Sequence, residues 1–180
     1  MRWSPPAGSG MKVIGVVGWK NSGKTTLVVR LVAHLAALGY RVSTVKHAHH
    51  EVDLDRAGKD SHRHREAGAG EVMLATSRRW ALIHEFRDDE PEPPLEALLA
   101  RMSPADIVVV EGFKRFPHLK VEAHRRERGT PLLAAGDPSI VAVASDEPLP
   151  GLAVPVLDLD DVTGIAALVL RRLELGRPAS

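Results

Sequence analysis

Gly18-Trp19-Lys20-Asn21-Ser22-Gly23-Lys24-Thr25 matches the spacing G-x-x-x-x-G-K-[ST] without a gap. Background residue frequencies give such a match by chance in about one per cent of chains or fewer. The flanks carry the same message. Val13 to Val17 is a short β-branched run of the kind buried on both faces of a parallel sheet. From Thr25 to Leu38 the apolar period changes to that of a helix, through Leu27, Leu31, Leu35 and Leu38, and Gly39 supplies the stop. Strand, glycine-rich turn and helix in that order form a phosphate-binding loop. The turn aims its backbone N–H groups at an anion, and the positive end of the helix dipole lies behind them.

On this reading Gly18, Trp19, Lys20, Asn21, Ser22 and Gly23 wrap the phosphates, and Lys24 bridges the terminal ones. The Thr25 hydroxyl is placed for Mg²⁺, and Thr26 for the α-phosphate. The competing reading is a glycine turn that merely caps a helix.

Further along, Arg41 to Lys46 reads as a second strand, so the chain opens with a βαβ unit of the right-handed kind. The stretch from His47 to Gly70 is polar and histidine-rich, with a short helix near Ser61 to Ala67. Glu71 to Thr76 and Arg79 to Phe86 form a hairpin pattern, followed by the acidic, proline-rich connection Asp88 to Pro94. Leu95 to Met102 is a short amphipathic helix. Strands are expected at Asp106 to Val110, Leu119 to Ala123, Ile140 to Ala144 and Val154 to Leu157, and a last helix at Val162 to Leu173. The fold class is α/β: a three-layer, P-loop NTPase-like arrangement with a central, mostly parallel sheet flanked by helices. At 180 residues one such core is expected, a single nucleotide-binding domain over 11–176 preceded by a disordered arm over 1–10.

The strand ending in Glu111-Gly112 sets a carboxylate at the carboxyl edge of the sheet, where it can hold Mg²⁺ or orient an attacking water. Asp53, in the loop after the second strand, is the first choice for a second Mg²⁺-linked, γ-phosphate-sensing carboxylate, ahead of Asp55 and Asp60. A solvated acidic loop is the alternative. Lys24, Glu111 and Asp53 are therefore the candidate catalytic groups, and Thr25, Asp53 and Glu111 the candidate metal ligands. Asp146, after a late strand, is positioned to accept from the guanine N1 and N2 donors, although the usual Asn-Lys-x-Asp signature is absent and a solvated turn explains it equally well. His47, His49, His50, His62 and His64 raise zinc or nickel as a further possibility.

Bulk composition removes several function classes. The chain has no cysteine, which excludes disulfides, thiolate metal sites and cysteine nucleophiles. A formal charge of +1 makes no case for nucleic acid, and no stretch reaches transmembrane length, so a soluble, cytoplasmic protein is expected.

Five segments together carry more than the loop alone: GWKNSGKTT from Gly18, VKHAHHEVDLDRAGKDS from Val45, RRWALIHEF from Arg78, VVVEGFKRFPHLKVE from Val108 and VAVASD from Val141. They resemble the molybdopterin-guanine dinucleotide biosynthesis adaptor protein B family, called MobB, over Lys12 to Leu173. The resemblance implies a GTP-binding homodimer, with Mg²⁺ and weak GTPase activity, that assists a molybdopterin guanylyltransferase in attaching a guanine nucleotide to molybdopterin. One departure concerns related dimeric ATPases, which carry a signature lysine at the second position of the loop. Here that position is Trp19, and Lys20 is offset by one residue. Two other functions compete: a nickel-delivering GTPase, which usually adds cysteine ligands that this chain lacks, and a P-loop small-molecule kinase, for which no acceptor pocket is legible.

Overall fold

In the computed structural model, residues 10–48, 58–86 and 90–176 are described. The arm expected over 1–10 lies, except for Gly10, outside them.

Alternation decides how the strands are buried. Along β1 (Lys12–Val17), Ile14 and Val16 enter one core while Val13 enters another on the opposite face. Along β5 (Ile107–Glu111), Ile107 and Val109 divide from Val108 and Val110 in the same way. A strand whose successive residues are all apolar needs a cover on both sides, and that is why helices flank the sheet on two faces. The first cover is α1 (Lys24–Ala37) with α4 (Val162–Arg172), contributing Leu27, Leu31, Leu35, Ile165 and Val169. The second is α3 (Leu95–Ala100), contributing Leu95 and Leu99.

Both long helices are closed by local chemistry. Gly39, at φ 93°, lets the chain turn back after α1, so that Gly39 N–H donates to Ala36 O at 2.9 Å and Tyr40 N–H to Leu35 O at 3.2 Å. The Asp161 side chain caps α4 by accepting from Gly164 N–H at 2.9 Å.

The remaining strands of the main sheet are β2 (Val42–Lys46), β6 (Lys120–His124), β7 (Ile140–Ser145) and β8 (Val156–Asp158). Their order is β2-β5-β1-β6-β7-β8, and every neighbouring pair is parallel. The opening βαβ unit is therefore not a pair of adjacent strands, because β5 lies between β1 and β2. This interposition creates the crevice. The chain leaves β1 towards β2 on one side and leaves β5 towards β6 on the other, so two loops diverge at one carboxyl edge.

The chain divides into two compact units, Met1–His47 with Leu95–Ser180, and Ala48–Pro94. Within the second, α2 (Asp60–Glu66) is followed by the antiparallel hairpin of β3 (Glu71–Ala75) and β4 (Trp80–His84). Thr76 closes the turn, its hydroxyl donating to Arg79 O at 2.9 Å. Met73 pairs with Leu82 and Ala75 with Trp80 across the ladder, so Met73, Leu82 and Trp80 share one face, and all three are exposed.

Under β6 lies a buried polar group. The Lys120 ammonium, 1% exposed, donates to Asp137 Oδ2 at 2.8 Å and to Ser139 Oγ at 2.5 Å. His118 is fully buried beside it, against Gly15, where a Cβ would come within 2.3 Å of its Nε2. Burial, and then the Lys120 charge, pull the imidazole down to about 4 from its ordinary 6.5. A depressed imidazole stabilises the fold fully above the unfolded value, and that contribution is lost as pH falls from 6.5 through 4. Urea denaturation is accordingly expected to show a loss of about 2 kcal/mol across this window. In His118→Gln most of that pH dependence should vanish, whatever the variant's absolute stability; an unchanged slope would assign it to other groups.

Candidate functional site

The glycine-rich loop leaves β1 at Gly18, which takes φ 148° and has no room for a side chain: a Cβ would come within 2.4 Å of Ala123 O and 2.5 Å of Ser22 Oγ. Asn21 and Gly23 also have positive φ, at 62° and 91°. Asparagine and glycine are the residues that tolerate this region best. The loop is drawn tight, and Ser22 N–H donates to Trp19 O at 3.2 Å. Gly23 caps α1 without any side-chain hydrogen bond, which leaves the first amides of that helix to an outside acceptor.

Three residues then converge. Thr25, at the start of α1, donates its hydroxyl to Glu111 Oε1 at 2.7 Å. Glu111 is the last residue of β5 and is buried, and it pairs in register with Val16 on one side and Lys46 on the other. Consequently the Lys46 ammonium lies 3.4 Å from the same Oε1. Lys24 folds back across the loop and donates to Trp19 O at 2.6 Å. Burial first, and then the charge of Lys114, hold Lys24 below its ordinary value; Glu111 works in the opposite direction, and Lys46 adds to the lowering. A lysine set among other lysines is poised for a dense anion.

The hydroxyl and carboxylate of Thr25 and Glu111 are hard oxygen donors of the type Mg²⁺ takes, one or two from the protein and the rest from phosphate and water. These residues fit that ion. Asp53 and Asp55 lie outside the described residues, as do His49 and His50. Asp60 begins α2. His62 sits beside Glu66 on the same helix, Nδ1 to Oε2 3.3 Å, with His64 two residues on. His47 stacks on Phe113 at 4.6 Å and donates its backbone N–H to Glu111 O at 2.8 Å. Among the described residues no three His, Asp or Glu side chains gather as a metal site.

Asp146 follows β7 at the same edge. Its Oδ1 accepts from Arg126 N–H at 2.9 Å, and Arg125 Nη1 is 3.6 Å from Oδ2. Beside it opens a cavity of about 480 Å³, walled by Ser145, Asp146, Leu149, Pro150, Val156 and Asp158. Arg125 also reaches the loop, its Nε 3.3 Å from where a Cβ would stand on Gly23. One guanidinium thus spans the distance from the phosphate loop to Asp146. Lys20 and Thr26 are exposed at the loop rim and on the first turn of α1.

Sequence reading missed three of these groups. Lys46 and Lys114 stood inside recognised segments but had no motif position, and Arg125 follows the strand expected at Leu119 to Ala123 with no motif of its own. Lys46 had the clearest signal, since it ends the strand read over Arg41 to Lys46.

Comparison with known proteins gives the family. A family model described as molybdopterin guanine dinucleotide synthesis protein B matches residues 13–146. The molybdopterin-guanine dinucleotide biosynthesis adapter protein of Escherichia coli (strain K12) is 40% identical over 165 residues, covering 90% of this chain and 93% of the relative. That of Haemophilus influenzae is 39% identical over 160 residues, covering 87% and 86%. Among solved structures, a MobB protein homolog from Bacillus stearothermophilus superposes with TM-score 0.67 at 32% identity, covering 90% of this chain and 97% of that one. With a glycine-rich loop facing a strand-end glutamate and a family match across both, the chain belongs to the molybdopterin guanine dinucleotide synthesis protein B family.

Proposed function

We propose that the chain is a GTP-binding adaptor for the step that attaches a guanine nucleotide to molybdopterin, with slow GTP hydrolysis of its own. The observation that carries the nucleotide part is the meeting of Lys24, Thr25 and Glu111 at the mouth of an uncapped glycine loop. Relatives in Escherichia coli and Haemophilus influenzae bear the adapter name, and this supports the pathway assignment.

In this reading Gly18 to Gly23 and the first amides of α1 hold the phosphates, while Lys24 leaves the Trp19 carbonyl for the terminal phosphates. Thr25 and Glu111 would hold Mg²⁺, which would supply charge neutralisation for the phosphates. Asp53 is retained as the sensing carboxylate of the loop after β2 on its sequence position alone. Asp146 and its apolar-walled cavity are the base end, and the volume of about 480 Å³ is of the size that takes a heterocycle. Arg125 orients the Asp146 carboxylate from behind.

The partners are a molybdopterin guanylyltransferase with its molybdopterin, and a second copy of this chain. Exposure of Met73, Trp80 and Leu82 on one face of the hairpin supports the homodimer. No described helix is long and apolar enough to cross a membrane, which is consistent with a cytoplasmic site of action.

The first test is direct. Lys24→Ala should fold normally and bind Mg²⁺-GTP roughly 100-fold more weakly in calorimetry, because a charge-assisted phosphate contact is lost. Unchanged affinity would end the assignment. Base choice is tested separately with Asp146→Asn, which presents an amide donor where guanine also donates; the GTP over ATP preference should narrow about tenfold. Equal loss of both nucleotides would remove Asp146 as the base reader. Finally, GTP turnover and guanylylation of molybdopterin should both rise when the guanylyltransferase is added, and fall again with Glu111→Ala or Asp53→Ala. Fast turnover by the isolated protein would contradict the adaptor role, as would phosphate transfer to a small molecule with no partner present.

A further inference from the structure

The residue at the second loop position is more than a departure from the dimeric ATPase pattern. Trp19 is fixed: its indole N–H donates to Pro131 O at 2.7 Å, tying the ring to the segment after β6. Over its face stands Lys114, with Nζ 4.5 Å from the ring centroid. This is well inside the distance at which an ammonium is held by an aromatic quadrupole. Among the described residues that ammonium meets the indole rather than a carboxylate.

Lys114 is delivered there by a costly turn. After Glu111, Gly112 has φ 97° and Phe113 φ 51°. Glycine accepts this readily, but a phenylalanine in the left-handed region does so only when its surroundings hold it. Phe113 is held by stacking on His47 at 4.6 Å and by an edge contact with Phe116 at 6.3 Å. Strain of this kind persists where it aims a side chain at a site.

The result is a charge imbalance. Among the described residues, the charges that act on Lys24 are two lysines, Lys114 and Lys46, and one carboxylate, Glu111. Repulsion is already felt by Lys24, whose ammonium is disfavoured by Lys114. Lys46 lies against Glu111, and Lys24 spans the loop to the Trp19 carbonyl; Lys114 remains for the anion.

We propose that Lys114 is a second phosphate-neutralising cation, directed at the terminal phosphate of the bound triphosphate, with Trp19 as its platform. The proposal rests on the nucleotide reading above. Together the pair supplies from within one chain the charge that a lysine at position 19 would otherwise bring. Because the loop holds the inner phosphates through backbone N–H groups and Lys24 bridges to the terminal ones, loss of Lys114 is felt by a triphosphate and little by a diphosphate.

The experiment is calorimetry of Mg²⁺ with the β,γ-imido analogue of GTP and with GDP, alongside GTP turnover, on wild type, Lys114→Ala, Lys114→Arg, Trp19→Leu and Lys24→Ala. In Lys114→Ala the ratio of triphosphate to diphosphate affinity should fall roughly tenfold or more, the scale of one charge-assisted contact, and turnover should slow. Lys114→Arg should restore the ratio to within about threefold, since arginine keeps both the charge and the stacking. Trp19→Leu should give an intermediate fall with the melting temperature little changed. Equal loss of both nucleotides in Lys114→Ala, or no loss of either, overturns the proposal, as does failure of arginine to rescue. A wild-type ratio in Trp19→Leu overturns the platform. A wild type that binds neither nucleotide is a different failure, which removes the nucleotide reading itself, whereas Lys24→Ala losing both while Lys114→Ala loses neither removes only the role of Lys114.

Discussion

A carboxylate can end a wholly apolar strand only if groups of opposite polarity meet it there, and Glu111 is met by the Thr25 hydroxyl at 2.7 Å and the Lys46 ammonium at 3.4 Å. This contact joins three elements that are far apart in the chain: the first turn of α1, the end of β5 and the end of β2. The parallel register makes it possible, because Val16, Glu111 and Lys46 are paired across β1, β5 and β2. Shifting β5 by one residue would exchange its two apolar faces and carry Glu111 away from Thr25. The hydrophobic alternation that builds the two cores therefore also sets the geometry of the polar site.

Once Glu111 is satisfied, the other charges at this edge acquire direction. Lys24 is left with a backbone carbonyl, Lys114 with an indole face, and the first amides of α1 with no side-chain cap. Each is a donor whose present partner is weaker than a phosphate oxygen. A site built in this way would offer an anion a loop already shaped, because Gly18, Asn21 and Gly23 stand in positive φ. Anion binding should also relieve the repulsion that lowers Lys24.

Much of this was legible beforehand, and the pattern of what was not has a physical cause. The loop, its strand and its helix could be read because each obeys a local rule: glycine where φ is positive, apolar residues at a period of two and then of 3.6. The hairpin and the closing helix were readable on the same grounds. Glu111 could be placed because a strand end is visible in one dimension. What could not be read was the order of the strands: nothing between Val13 and Lys46 says that β5 will enter between β1 and β2. Lys46, Lys114 and Arg125 become neighbours of the loop only through that order and through two turns, so no local spacing could single them out. Asp146 shows the same limit from the other side, since its position after β7 was evident but not its hydrogen bond from Arg126 N–H or its approach to Arg125.

The division of labour at Glu111 bears on catalysis as well. General-base action needs an oxygen free to take a proton from water within hydrogen-bond reach. Here Oε1 already receives the Thr25 hydroxyl and lies closest to Lys46, and a metal bound at Thr25 would draw the same carboxylate further into charge neutralisation. On the nucleotide reading proposed above, the chemistry these residues would offer is the holding of phosphates, with their charge offset by Lys24 and Lys46. Phosphoryl transfer depends on such offsetting, yet it also depends on an oriented nucleophile, and groups brought by a partner can raise the rate by about 10³ to 10⁵. On the same reading, a chain that would hold phosphates through Lys24 and Thr25, and take the positioning of the attacking water from a partner, suits work with a second enzyme.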